Sequence, residues 1–182
     1  MKTLALDIGN VCVAIHPENF SRKLGFAAAP EILAMLYGDF EHGIITPEEF
    51  YCRALDFCPC KVAEKEFWEA FDAMVGEPVP GMTEFVRSLQ SKGWRAVFFS
   101  DTSVRHLEAV RRSFSACDAV AGGVYSYVTG SSKPAEKMFA AFEAEWGVPD
   151  LYLDDRYVLI EAATHRGWHA EVFPGTEKIC LP

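Results

Sequence analysis

The sequence predicts an α/β fold, a parallel sheet with helices on both faces, and three observations predict it. Short apolar runs alternate with helical stretches over most of the chain. Three of those runs end in polar groups: Asp7, then Ser100-Asp101-Thr102, then Asp154-Asp155. The separations between them are those of successive βα units, whose connections are short and right-handed.

The first strand is expected over residues 3–8, where Thr3-Leu4-Ala5-Leu6 leads into Asp7-Ile8-Gly9-Asn10-Val11. Residues 17 to about 76 change character and read as helical. Pro17-Glu18-Asn19-Phe20 opens one helix, and Ala29-Pro30-Glu31 opens another carrying Ile32, Leu33, Leu36 and Tyr37. Thr46-Pro47-Glu48-Glu49-Phe50 combines a capping residue, a proline at the first helical position and acids in the first turn. Phe67, Trp68, Phe71 and Met74 recur at helical spacing and read as the core of a small bundle rather than a ligand box.

Val79-Pro80-Gly81 closes that block. A helix is expected over 82–91, a strand over 95–99, a helix near 105–114 and a short strand around 119–121. A helix over 135–146, a strand over 151–153, a helix over 157–166 and a last strand around 169–173 complete the series. No internal repeat or low-complexity segment interrupts it.

A chain of 182 residues that is half hydrophobic is one domain, or one domain with an insertion. Its formal net charge of −9 argues against nucleic acid or an anionic membrane as partner. Asp7 interrupts the N-terminal apolar run too early for a signal peptide, and no later run is long enough to cross a membrane, so a cytoplasmic chain is expected. In that compartment the six cysteines are thiols. Cys52, Cys58 and Cys60, with His42 the nearest histidine, match no familiar zinc spacing. Cys12, Cys117 and Cys180 read as small buried hydrophobes.

The crevice beyond the carboxyl ends of a parallel sheet is where open α/β folds bind ligands. Asp7 there is a nucleophile, a metal ligand or a turn-capping carboxylate. Ser100 either donates a hydroxyl to a ligand or caps the next helix. Lys133, in Ser131-Ser132-Lys133-Pro134, is either a charge-neutralising group or a solvated loop residue. Asp154-Asp155 is a ligand pair or an exposed turn. His16 and His106 read as partly exposed structural histidines.

The ordered set Asp7-Ile8-Gly9-Asn10-Val11, Ser100, Lys133-Pro134 and Asp154-Asp155, with Pro80-Gly81-Met82 ahead of Ser100, resembles the haloacid dehalogenase-like (HAD) phosphohydrolase superfamily over nearly the whole chain. The first motif is similar to that of a subgroup, Asp-x-Gly-Asn-Val, that includes glucose-1-phosphate phosphatases. The resemblance implies a Rossmann-like core of residues 1–16 and 77–182 and an inserted helical cap of residues 17–76. It implies a Mg²⁺-dependent phosphatase for a small phosphorylated metabolite, such as a sugar phosphate, with Asp7 forming an aspartyl-phosphate. Asp7, Asp155 and the Gly9 carbonyl would hold Mg²⁺, with Asp154 beside them and paired to Lys133 or a metal-bound water. Lys133 would neutralise Asp7 and the phosphoryl oxygens, and Ser100 would donate to phosphate with the amides of Asp101 and Thr102.

Two positions depart from the family pattern. Many members carry a second aspartate, a general acid and base, where this chain has Gly9. The subgroup often has asparagine where this chain has Asp101, a carboxylate that would repel phosphate unless turned away. Tyr157-Val158-Leu159 is also more apolar than usual. These departures favour a catalytically weak or silent HAD-like binding protein as the alternative. A metal-independent haloacid dehalogenase fits less well, because adjacent acids without a cation repel.

Overall fold

The computed structural model describes residues 1–25 and 30–182, with the side chains of residues 30–35 outside the description. Ala29 and the side chains of Ile32 and Leu33 therefore lie outside it. Five strands form one parallel sheet in the order β5-β4-β1-β6-β7: β1 (Lys2–Leu6), β4 (Trp94–Ser100), β5 (Val120–Tyr125), β6 (Leu151–Asp154) and β7 (Ala170–Val172). A strand buried on both faces needs apolar residues at every position, not every second one. In β1, Leu4 and Leu6 pack on one face with Val86, Leu107 and Val110, while Ala5 packs on the other with Phe139, Phe142 and Trp168.

The helices α5 (Met82–Ser88) and α6 (Val104–Ser113) contribute to the first layer, and α8 (Glu136–Trp146) and α9 (Tyr157–His165) to the second. A single helical turn, α7 (Ser126–Thr129), follows β5 directly. The central position of β1, between β4 and β6, sets the carboxyl ends of those three strands side by side. Asp7, Ser100 and Asp154 are therefore neighbours although they are far apart in the chain.

Between β1 and β4 the chain leaves the sheet through a two-stranded antiparallel ribbon, β2 (Val13–Ile15) and β3 (Val75–Pro78). The sequence reading placed residues up to about 76 in helices and missed this ribbon. Val13-Ala14-Ile15 is too short to show a period, and glycine and proline in β3 depress strand propensity. Gly76 is there because a Cβ would lie 2.6 Å from the His16 ring.

The ribbon carries four helices: α1 (Glu18–Leu24), α2 (Pro30–Glu41), α3 (Pro47–Leu55) and α4 (Glu64–Asp72). Thr46 starts α3 with a reciprocal cap. Its hydroxyl accepts from the Glu49 N–H at 3.1 Å, and the Glu49 carboxylate accepts from the Thr46 N–H at 2.8 Å. The helices bury a core of their own, centred on Phe20, Phe40, Phe50, Phe67, Trp68 and Phe71. Asp72 ties this block to α6 through a bidentate pair with Arg105 at 2.8 and 2.9 Å.

Two further boundaries shift. β5 runs over Val120–Tyr125, longer than the short strand expected around 119–121. Ser103, not Ser100, caps α6 by accepting the His106 N–H. Among the cysteines, Cys12 is buried as expected, but Cys117 is half-buried and Cys180 is exposed, between Ile179 and Leu181 that pack on the core. Among the described residues, no helix is long and apolar enough to cross a membrane.

Phe67 is fully buried, with five aromatic neighbours in the helical block. Phe67→Ala is expected to lower the unfolding free energy by about 3–5 kcal/mol in urea denaturation. A loss below about 1 kcal/mol would mean the block does not depend on this core.

Candidate active site

Asp7 lies one residue beyond β1 and is almost fully buried. A carboxylate there needs a partner, and Lys133 supplies it. The Lys133 side chain has no exposed surface. Its Nζ lies 2.8 Å from Asp7 Oδ1, 2.7 Å from Asp154 Oδ2, 2.8 Å from the Phe99 carbonyl and 3.2 Å from the Tyr152 hydroxyl. The Tyr152 hydroxyl also donates to Asp154 Oδ2, and Asp154 Oδ1 accepts the Arg156 N–H at 2.9 Å.

Burial pushes the Asp7 carboxyl up to about 6, and Lys133 and the Ser100 hydroxyl pull it back only in part. Burial acts the same way on Asp154, but Lys133 and the hydrogen bonds from Tyr152 and the Arg156 amide outweigh it and hold Asp154 below the usual carboxylate range. Burial would lower the Lys133 ammonium, yet Asp7, Asp154 and Asp101 keep it above its ordinary value. The expected Asp154–Lys133 pair is thus formed.

Asp155 is exposed beside them, its Oδ2 accepting from Asn10 Nδ2 at 3.1 Å. Carboxylate oxygens of Asp7, Asp154 and Asp155 all lie within 4.8 Å of one another. Asn10 adopts a left-handed backbone, φ 54°, and its Oδ1 accepts the Ile15 N–H. That conformation turns the chain sharply beyond Asp7, and it is one that asparagine tolerates. The Gly9 carbonyl accepts no hydrogen bond among the described residues. Three carboxylates and a free carbonyl are an oxygen set suited to a hard divalent cation.

Asp101 does turn away. Its Oδ1 accepts the Lys133 N–H at 2.8 Å and its Oδ2 accepts from Arg156 at 2.8 Å. The Thr102 amide, expected to face a phosphate, is already committed. It donates to the Ser126 hydroxyl at 2.8 Å because Ser126 is wholly buried behind it. Thr102 still borders the cavity. His16 lies outside the cavity, 3.5 and 3.6 Å from Glu18 and Glu77. Among the described residues, Cys52, Cys58, Cys60 and His42 do not gather as metal ligands.

A cavity of about 710 Å³ opens over the strand ends. Asp7, Ser100, Lys133, Asp155 and Arg156 form its charged end, and Ile15, Phe20, Phe50, Phe71 and Met74 its apolar wall. His106 is buried in that wall, stacked on Phe71 with ring centroids 4.2 Å apart, and its Nδ1 is 2.9 Å from the Tyr37 hydroxyl. It is not the partly exposed residue the sequence suggested, because the helical block covers α6 at this point. Burial pushes the imidazole down to about 4, with the Phe71 carbonyl and Asp72 offsetting part of the effect.

Sequence reasoning missed Arg156, Ser126 and Glu41. Arg156 follows Asp154-Asp155 directly, and that adjacency was the one available signal. Glu41 closes α2 and also lines the cavity. Burial pushes its carboxyl up to about 7, with Asp101 and Asp7 adding to the shift while Tyr37 and Arg156 oppose it.

No protein-family model and no curated protein matches the sequence. Solved structures do match. A HAD-family enzyme of Bacteroides thetaiotaomicron, crystallised with magnesium and inorganic phosphate, superposes with a TM-score of 0.82 at 22% identity, over 94% of this chain and 93% of that one. The fold is that of HAD-family enzymes. A HAD-like hydrolase of Porphyromonas gingivalis gives a TM-score of 0.81 at 20% identity, covering 98% of this chain and 93% of that one. CbbY of Rhodobacter sphaeroides, in complex with xylulose-(1,5)-bisphosphate, gives 0.62 at 18% identity, over 96% and 87%. The HAD fold thus extends over the helical block as well as the sheet.

Ser126 joins the block to the sheet. Its Oγ accepts from the Thr102 N–H and lies 2.8 Å from the Glu41 carbonyl and 3.0 Å from the Thr102 carbonyl. Ser126→Ala leaves a buried amide unpaired and is expected to cost about 1–3 kcal/mol in urea unfolding. An unchanged midpoint and slope would contradict that assignment.

Proposed function

We propose that this protein is a Mg²⁺-dependent phosphomonoester hydrolase acting on a small phosphorylated metabolite through an aspartyl-phosphate on Asp7. One observation carries the reading: the oxygens of Asp7, Asp154 and Asp155 converge within 4.8 Å while one buried lysine contacts two of them. The magnesium and phosphate in the Bacteroides thetaiotaomicron enzyme support it by analogy.

Asp7, Asp155 and the Gly9 carbonyl would hold the cation, with Asp154 beside them. Mg²⁺ there would neutralise phosphate charge and fix its orientation. Asp7 would attack phosphorus through Oδ2, since Lys133 holds its Oδ1 at 2.8 Å. Lys133, from beneath Asp7, and the Ser100 hydroxyl would offset the charge that develops on the phosphoryl oxygens. The proposed architecture assigns residues 1–16 and 77–182 to the catalytic core and 17–76 to a cap that shapes the leaving-group side. A sugar phosphate would suit a cavity lined by the polar groups of Tyr37, Glu41 and Arg156 as well as by aromatic rings. The Asp101 carboxylate, neutralised by Arg156, no longer argues for a silent protein.

Purified protein is expected to release phosphate from members of a phosphorylated-metabolite panel with Mg²⁺ and not with EDTA. Asp7→Asn should abolish turnover while circular dichroism stays unchanged. Activity without a divalent cation, or an active Asp7→Asn, would refute the mechanism.

Magnesium is also expected to raise the melting temperature of the parent but not of Asp155→Ala. Asp155 is exposed, so that variant should fold. An equal shift in both would remove Asp155 from the ligand set.

A further inference from the structure

We propose that the Glu41 carboxyl is the proton donor to the leaving group, replacing the acid that Gly9 cannot supply. The proposal rests on the phosphatase reading and adds to it the residue that completes the reaction. Gly9 has no side chain, and the space beside it is tight: a Cβ there would lie 3.1 Å from Ile15 Cγ1. The acid must therefore come from elsewhere. Glu41 lines the same cavity as Asp7, but it comes from the helical block, which covers the leaving-group side.

The end of α2 and the two residues after it are held against α7 and the loop that follows it. The Glu41 carbonyl is 2.8 Å from the Ser126 hydroxyl. His42 Nε2 is 2.6 Å from the hydroxyl of Ser132, the residue before Lys133. Gly43 packs on the Tyr127 backbone so closely that a Cβ would meet its carbonyl oxygen at 2.3 Å. These contacts fix the backbone from which the carboxyl projects into the cavity, and a proton donor acts from a held position. Tyr37 on α2, Asp101 and Arg156 beyond β4 and β6, and Asp7 beyond β1 are the charged or titratable groups acting on it. With its carboxyl up to about 7, both protonation states are populated near neutrality.

In the first step Asp7 Oδ2 bonds to phosphorus and the phosphorus–oxygen bond to the leaving group breaks. The Glu41 proton passes to the departing oxygen. In the second step water attacks the aspartyl-phosphate and gives its proton to the Glu41 carboxylate. The bond between phosphorus and Asp7 breaks, phosphate leaves, and both side chains return to their starting states.

Glu41→Gln keeps the shape and the backbone clamp but holds no transferable acid proton. With Mg²⁺, its kcat/KM on glycerol 3-phosphate, a poor leaving group, should fall by roughly a hundred- to ten-thousandfold. On 4-nitrophenyl phosphate, whose leaving group needs little protonation, the loss should be less than about tenfold. On glycerol 3-phosphate the parent's rate should decline as pH rises through about 7, and Glu41→Gln should lack that limb. Equal losses on both substrates, or no loss on either, would overturn the proposal while leaving the phosphatase reading intact. A folded parent that turns over neither these two nor the wider panel with Mg²⁺ would overturn both.

Discussion

A lysine ammonium with no exposed surface sits among two carboxylates, a carbonyl and a tyrosine hydroxyl, and the site is organised around it. Neither the ammonium nor the carboxylates could be buried alone, because an unpaired interior charge costs several kcal/mol. Together they hold the ends of β1, β4 and β6 at one point. Tyr152 lies under this cluster in the core between sheet and α8, so packing below the site and hydrogen bonding within it meet in one side chain. Asp7 is thereby held by the protein itself, and a proposed nucleophile fixed in advance would need no reorganisation during reaction.

The chain is acidic overall, with a formal charge of −9, yet the proposed substrate is an anion. The conflict is resolved locally. Lys133 offsets Asp7 and Asp154 from beneath, and Arg156 offsets Asp101 at the rim. The proposed cation would neutralise the remaining carboxylate charge on the exposed side, where Asp155 stands.

The helical block meets the sheet with two kinds of contact. Asp72 pairs with half-buried Arg105 and with the more exposed Arg112. Ser126 works from the interior, where an unmade hydrogen bond costs more. The interior contacts fall beside Glu41, so the most constrained part of the block is also the part that borders the site. If Glu41 carries the proton, the missing acid at Gly9 and the tight docking of α2 have a single explanation.

Much of the fold was legible in the sequence, because each of its signals is local. Apolar runs announced four of the five sheet strands fully, and the caps at Thr46 and the aromatic spacing around Phe67 announced the helical block. The motif carboxylates and Lys133 were legible because each ends or adjoins an element in chain order. The β2–β3 ribbon was not, since three residues show no period and a Gly and a Pro argue against a strand. Arg156, Ser126, Glu41 and the buried state of His106 depend on contacts across 55, 85 and 69 residues of chain. The sequence by itself determined the alternation of strands and helices and the identity of the carboxylates, through periodicity and chain order. Only the tertiary structure decided that the Thr102 amide is spent on Ser126, that Asp101 turns to Arg156, and that Glu41 shares a cavity with Asp7. Hydrogen bonds between distant segments exist only once sheet order and helix docking have brought their partners together.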